Sequence, residues 1–351
     1  MPGTPARTDD AAATADVVCL GESMVTFLPS QPGRLADVPS FGRGIGGAES
    51  NVACALAAAG HRAAWVSRVG ADGFGDHLVD AISGYGVDTS AVQRDPARPT
   101  GIYFRTATDR ATDVHEVAYY RAGSAASAMS PANVPYEALP TGRILHLSGI
   151  TAALSADCLA LLHELTAPRP GRPLVSFDVN HRPGLWRAGG TSPEVLLDLA
   201  RRCDLVFVGE DEAEEAWGIV GVEAIRAALP EPAVLVVKRG ADGATVFSAE
   251  PGLPDSVTEV PALRVDVVAP VGAGDAFAAG FLSATLRRLP VRDRARHGHL
   301  MAAAVLTVPG DLTDPPARER ADRLAALDDA AWGRLRLGPG WTGDDTEVPK
   351  P

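Results

Sequence analysis

The 351-residue chain is 46% hydrophobic and sets 32 basic against 44 acidic residues, a net charge of −12. That balance argues against a nucleic-acid partner held by general electrostatics, and no apolar run approaches the roughly 20 residues of a membrane span. The length accommodates one large α/β domain, or a domain with a small appendage, in a soluble cytoplasmic protein.

Residues 1–15 are rich in Ala, Thr, Pro and Asp and read as a disordered tail without the apolar core of a signal peptide. From residue 16 onward, apolar runs alternate with helical patterns. Val17–Leu20 and Ala63–Val66 read as strands, Ala48–Ala59 and Gly75–Tyr85 as helices. Ile144–Leu147, Leu174–Asp178, Leu205–Val208 and Val234–Val237 are further strands. Helices near Ala156–Leu165, Pro193–Arg202, Glu210–Trp217 and Val222–Leu229 lie among them. Such alternation with fully apolar strands predicts a largely parallel sheet covered on both faces. The stretches 24–45 and 98–122 break the rhythm: Gly101–Arg105 and Val117–Arg121 alternate as antiparallel strands do and predict a small β lid over the cleft. Unpaired lid edges favour a homodimer or higher homo-oligomer through the lid. The domain is expected to run over 16–335, with 336–351 a second loose tail. Cys19, Cys54, Cys158 and Cys203 lack metal-like spacing and read as reduced structural thiols.

Chemistry concentrates in Val265–Leu282. Val265–Val268 reads as an apolar strand, Pro270–Gly274 as a turn of minimal side chains, and Asp275 stands where the next helix begins. The open N–H groups of a helix start, with the helix dipole, make a site for a phosphate or a developing anion, which Gly272, Ala273 and Gly274 allow to approach. Asp275 beside it could take the proton of a hydroxyl attacking a phosphoryl group. Taken alone, this segment is equally compatible with a plain turn in which Asp275 caps the helix. Earlier, Gly42-Arg43-Gly44-Ile45-Gly46-Gly47 satisfies the G-x-G-x-x-G pattern of dinucleotide folds. No convincing strand precedes it and no acidic residue follows about 20 positions later, so the glycines are read as letting the backbone approach a polyol.

Two separated segments carry a family resemblance. Gly46-Gly47-Ala48-Glu49-Ser50-Asn51-Val52-Ala53 resembles the N-terminal signature of the ribokinase-like (PfkB) sugar kinases, and Val271-Gly272-Ala273-Gly274-Asp275-Ala276-Phe277 resembles their C-terminal one. The similarity runs from about Asp16 to Leu327. It implies a three-layer α/β/α fold with a mostly parallel sheet and a β lid, ATP and magnesium as cosubstrate and metal, and Asp275 as catalytic base. Within the family, Tyr119–Ala126, Leu145–Thr151 and Phe177–Trp186 resemble 2-keto-3-deoxygluconate kinases. Thr26 stands near where relatives that bind neutral sugars usually carry an aspartate.

The resemblance and the residue chemistry together give a site. Gly46, Gly47 and Asn51 are expected to contact sugar hydroxyls, and Tyr103, Arg105 and Arg182 the keto-acid end, because a planar guanidinium suits a carboxylate. Arg121 reads as a solvated surface charge. Asn180, Lys238, Arg239, Gly240 and Gly243 are expected along the nucleotide; Lys238–Gly243 alone could be a simple β-turn, and the family resemblance favours the ATP contact. Glu212 matches a glutamate that helps place magnesium, but Gly209 replaces the usual asparagine. Ala269 replaces an aspartate of a monovalent-cation site, which puts potassium activation in doubt. The reading is phosphoryl transfer from Mg-ATP to the terminal hydroxyl of 2-keto-3-deoxygluconate. A fructokinase-like enzyme for a neutral sugar and a catalytically silent sugar or nucleotide sensor are the alternatives.

Overall fold

Short runs of Val, Leu, Ile and Phe without alternation need apolar cover on both sides, and they find it in an eight-stranded sheet between helical layers. The computed structural model describes residues 14–31, 33–106, 116–189 and 192–343. In chain order its strands are β1 (Ala15–Leu20), β2 (Met24–Pro29), β3 (Phe41–Gly46), β4 (Ala63–Val66), β5 (Arg68–Gly70), β6 (Gln93–Asp95), β7 (Ile102–Arg105), β8 (Val117–Tyr120), β9 (Gly142–Ser148), β10 (Leu174–Asp178), β11 (Leu205–Gly209), β12 (Val234–Lys238), β13 (Ala244–Ser248) and β14 (Ser256–Val260). The main sheet has the order β14-β13-β12-β11-β10-β9-β1-β4. Neighbours are parallel from β4 to β12, and the last two pairings are antiparallel.

The pleat divides the core. Val17 and Cys19 join Trp65, Phe207 and Phe281 under the helices Ala48–Ala58, Ala273–Leu286 and Val291–Leu306. Val18 and Leu20 join Leu145, Leu162, Phe177 and Leu199 on the other face. The chain leaves β1 for β4 on one side and later returns to β9 on the other, so strand order reverses there. At such a switch point the C-terminal strand ends leave a crevice where ligands of open α/β sheets bind. Ser148, Asp178, Gly209 and Lys238 all close strands on that edge.

The segments expected as a lid form a separate sheet of order β3-β2-β7-β8. Its pairing differs from expectation in one place: β2 and β7 run parallel, while β2–β3 and β7–β8 are antiparallel. Residues 107–115 of the second stretch, most of the expected N-terminal tail and 344–351 lie outside the described residues. Phe27 stacks on Phe104 at 4.6 Å and meets Phe74 edge-on at 5.8 Å, which fastens the lid to the helix Gly73–Gly84. The Gly42–Gly46 glycines lie on the lid strand β3, antiparallel to β2, and this strand leads through Gly47 into the helix Ala48–Ala58.

The strand expected at Val265–Val268 is shortened to β15 (Arg264–Val265), and Val267 and Val268 are 38% and 40% exposed. The main sheet ends at β14, so β15 pairs instead with β16 (Arg336–Leu337). The first part of the expected loose tail is therefore packed, with Leu337 and Trp341 buried in the core. All four cysteines are free and buried. Among the described residues no helix is long and apolar enough to cross a membrane.

Asp72 ties lid to sheet. One carboxylate oxygen caps the helix Gly73–Gly84 through the Phe74 and Gly75 N–H groups and accepts from the Thr100 hydroxyl. The other accepts the Thr100 N–H at 2.9 Å. Asp72→Ala should therefore cost about 2–3 kcal/mol, a lost cap plus an unpaired Thr100 N–H, read as a lower midpoint in denaturant unfolding with an unchanged slope.

Candidate active site

The helix Ala273–Leu286 begins at Gly272, whose φ of +79° is left-handed. A Cβ there would stand 2.5 Å from the Asp311 carbonyl oxygen, so both backbone conformation and close approach call for glycine. Gly274 is exposed, and the nearest atom to a Cβ built on it is Lys238 Nζ at 3.8 Å. The helix start is thus open on the side where a cation already stands.

Asp275, in the first turn, accepts a 2.8 Å hydrogen bond from Asn51 Nδ2. Its carboxyl pKa is pushed up to about 7, chiefly by burial and then by Asp178 and Asp311, against the pull of Asn51 and Arg182. A carboxylate poised near neutrality is suited to taking a proton. Asn51 is buried in the helix Ala48–Ala58, and its Oδ1 has no protein partner. A buried amide oxygen left open is a natural acceptor for a ligand hydroxyl.

Lid residues converge on Asp311, which the sequence reading did not single out. Arg105 Nη2 pairs with Asp311 Oδ1 at 2.8 Å, both side chains less than a tenth exposed, and the Tyr103 hydroxyl donates to Oδ2 at 3.2 Å. Burial raises the Asp311 pKa, which Arg105 and Tyr103 oppose. A Cβ on Gly46 would meet the Tyr103 hydroxyl oxygen at 2.3 Å. Gly46, Tyr103, Arg105 and Asp311 therefore pack as one group, while Gly47 caps the helix that carries Asn51.

On the opposite side, Lys238 Nζ bonds both Asp178 oxygens at 3.1 and 3.2 Å and lies 3.9 Å from Glu212. Burial alone would favour the neutral amine, but Asp178 and Glu212 hold the ammonium and raise its pKa. Glu212 Oε2 also accepts the Gly209 N–H at 2.7 Å, so it closes the strand-to-helix turn as well as facing Lys238. Asn180 is buried at a φ of +41° with its Oδ1 unpartnered. Such a conformation in a non-glycine residue is held by its surroundings and commonly marks a functional position. Arg182, two residues on, is exposed.

The remaining candidates are less central. Gly240 and Gly243 make the β12–β13 turn with φ of +54° and +111°, and a Cβ on Gly243 would collide with the Val260 carbonyl. Arg239 Nη2 lies 3.9 Å from Glu259 of β14. Arg121 contradicts its reading as a solvated charge: it is buried against Glu22, whose other oxygen accepts from Ser124. The sequence signal was weak, because Arg121 follows the exposed Tyr119 and Tyr120 and its partner lies 99 positions earlier in the chain. Asp178 was more findable, a carboxylate closing a buried, mostly apolar strand.

Residues 14–318 match the pfkB family of carbohydrate kinases. The chain belongs to that family, and it is a carbohydrate kinase. It is 36% identical over 310 residues to the 2-dehydro-3-deoxygluconokinase of Bacillus subtilis (strain 168), across 87% of this chain and 94% of that one. The probable fructokinase-6, chloroplastic, of Arabidopsis thaliana is 28% identical over 317 residues, across 86% and 80%. The crystal structure of the PfkB protein from Polaromonas sp. JS666 superposes with a TM-score of 0.75 at 33% identity, over 90% of this chain and all of that one.

The raised pKa of Asp275 has a consequence for stability. Between the ordinary carboxylate range and pH 7 the folded protein holds a proton that the unfolded chain has released, so stability falls as pH rises through about 7. Asp275→Asn removes that loss. Its advantage over the wild type in denaturant unfolding should be near zero at pH 4 and level off above pH 7, on the order of 2 kcal/mol because the carboxylate stays partly accessible.

Proposed function

We propose that this kinase transfers the γ-phosphoryl group of Mg-ATP to the terminal hydroxyl of 2-keto-3-deoxygluconate, giving 2-keto-3-deoxy-6-phosphogluconate, with Asp275 as general base. The observation that carries the reading is the placement of Asp275, its pKa near 7, in the first turn of an uncapped helix with Lys238 across the opening. Asp275 takes the hydroxyl proton. The N–H groups of Ala273 and Gly274, with Lys238, stabilise charge on the transferring group.

Asn51 and the Gly46–Gly47 backbone orient sugar hydroxyls, the unpartnered Asn51 Oδ1 accepting one of them. Asn180, Lys238 and the Arg239–Gly243 turn border the nucleotide. Glu212 and Asp178 are the carboxylates that would help hold a magnesium ion brought in with the nucleotide, which would supply charge neutralisation on the phosphates. Closure of the four-stranded lid excludes water as a competing acceptor. Exposed Tyr119 and Tyr120, 54% and 65% accessible on the edge strand β8, suit a homodimer through the lid.

Arg182 and Arg105 recognise the carboxylate of the sugar acid. One observation favours a neutral sugar instead: Arg105 is already paired with Asp311, which leaves Arg182 as the free guanidinium. A coupled ADP-release assay with Mg-ATP decides between them. The keto-acid should show a kcat/KM about 100-fold above those of fructose and ribose. Arg182→Gln should raise its KM about tenfold with little change in kcat, the pattern of lost ground-state binding. A preference for fructose would overturn the carboxylate assignment and keep the kinase. Asp275→Asn should lower kcat about 1000-fold while ATP binding, followed by calorimetry, persists. Wild-type kcat/KM should rise with pH through about 7 as the base ionises.

A further inference from the structure

A cavity of about 540 Å³ lies away from Asp275, where the C-terminal ends of the helices Ala48–Ala58 and Gly73–Gly84 face the middle of Ala273–Leu286 and Val291–Leu306. The segment from Asp314 to Arg318 forms its remaining wall. Its volume is in the range of small-ligand sites.

The lining is unusual for so acidic a chain. Two arginines from different elements, Arg287 and Arg318, meet there with His297, against Asp314 as the acidic member. Arg287 is held in place by Asp322, whose two oxygens take its Nη2 at 2.7 and 2.8 Å, and the same carboxylate lies 3.1 Å from His297 Nε2. Arg318 is exposed and is steadied by a 3.1 Å bond to the Ala59 carbonyl. At the rim, Ser283 bonds His61 at 2.8 Å, and the His61 pKa is lowered first by burial and then, against Asp16, by Arg318, Arg287 and Arg143. Arg318 and Arg287 thus both act on this ring, with Asp16 opposing them. The helix Arg318–Ala325 also starts on this wall, at Ala317, with no side chain capping its N–H groups. Tyr85, Met301, Pro315 and Pro316 supply an apolar half.

The wall is also joined to the catalytic centre. Three residues before Asp314 stands Asp311, which holds Arg105 and Tyr103 of the lid and packs on Gly272. Pro315 and Pro316 fix their own φ, so the segment between Asp311 and the helix is short and stiff. Met301 and Pro315 line both this cavity and a small cleft that reaches Asn51 and Asp311.

We infer that this cavity is a regulatory site for a small phosphomonoester, whose binding alters the affinity for the sugar by moving the 311–318 segment. A dianionic phosphate matches the exposed Arg318 guanidinium beside a helix start, with Arg287 sharing its charge between the ligand and Asp322, and the apolar half accepts a short carbon body. Coupling requires that the ligand hold one position of the segment better than another, and it then acts reciprocally on sugar and effector. The inference goes beyond the proposed reaction, and its binding test does not depend on which sugar is used.

The test is calorimetry on the full chain without nucleotide, using glycerol 3-phosphate as probe and glycerol as control. Glycerol 3-phosphate should bind with a Kd of about 0.1 mM and glycerol not at all. Arg318→Glu, a change at an exposed position, should weaken binding at least about tenfold, and Arg318→Lys less than about threefold. Lys238→Gln, beside Asp275, should leave it unchanged. In wild-type kinetics with whichever sugar is turned over fastest, the probe should shift the sugar KM at least about twofold at constant kcat, and Arg318→Glu should abolish that shift. No binding up to 10 mM, or binding lost in Lys238→Gln and kept in Arg318→Glu, would overturn the site. Binding at Arg318 without a shift in KM would overturn its regulatory role.

Discussion

The left-handed Gly272, packed on the backbone of Asp311, is the contact through which the rest of the site is assembled. It lets the helix Ala273–Leu286 begin abruptly, with open N–H groups and Asp275 in the first turn. A side chain at 272 would both strain the turn and push Asp311 away. Since Asp311 holds Arg105 and Tyr103, the glycine turn and the lid share one fixed point, and the separation of Asp275 from the lid residues is set by backbone packing. Backbone contacts of this kind are stiff, which suits a reaction that depends on positioning.

Buried charge is handled by pairing on both sides of the cleft. Lys238 sits between Asp178 and Glu212, so a phosphate entering there on the proposed reading would meet an ammonium already in place beside two carboxylates. Glu49 is fully buried and accepts the Ser148 and Thr151 hydroxyls, and Glu22 pairs with Arg121 at the foot of β8. Burial pushes the Glu49 pKa up. Gly21 makes room for it, since a Cβ there would stand 2.0 Å from the Glu49 carboxyl carbon. Removing one member of such a network leaves an uncompensated partner in low dielectric, so these groups fix the geometry of the lid base more than they add stability.

The elements most legible in the sequence were those with one dominant force. The helix Glu210–Trp217 and the strand Leu174–Asp178 coincide with their sequence readings, because an acidic first turn or a short, mostly apolar run has one good solution. The Val265–Val268 reading failed because strand propensity says nothing about the supply of a partner: β14 already ends the sheet, and only Arg264–Val265 finds a neighbour, in the tail. At the site, Asp275, Asn51 and Lys238 stood out by motif or by position at a strand end. Asp311 could not be found, since Gly310-Asp311 carries no periodicity and its partners lie more than 200 positions away. Ion pairs of that separation exist only once the fold has made them.

The Arg105–Asp311 pair also bears on how a sugar acid would be told from a neutral sugar. A buried guanidinium with its own carboxylate makes a nearly neutral dipole, which holds hydroxyls as readily as it holds an acid. On the proposed reading, discrimination would then rest on Arg182, which is exposed, reaches Asp275 electrostatically and follows Asn180 at its positive φ. On the proposed reading, a sugar carboxylate that neutralised Arg182 would remove one of the pulls that keep the Asp275 pKa down, so Asp275 would ionise at a higher pH with the sugar acid bound than with a neutral sugar. The same scaffold would thus link recognition of the acid to the proton transfer, through charge alone and without any movement of the main chain.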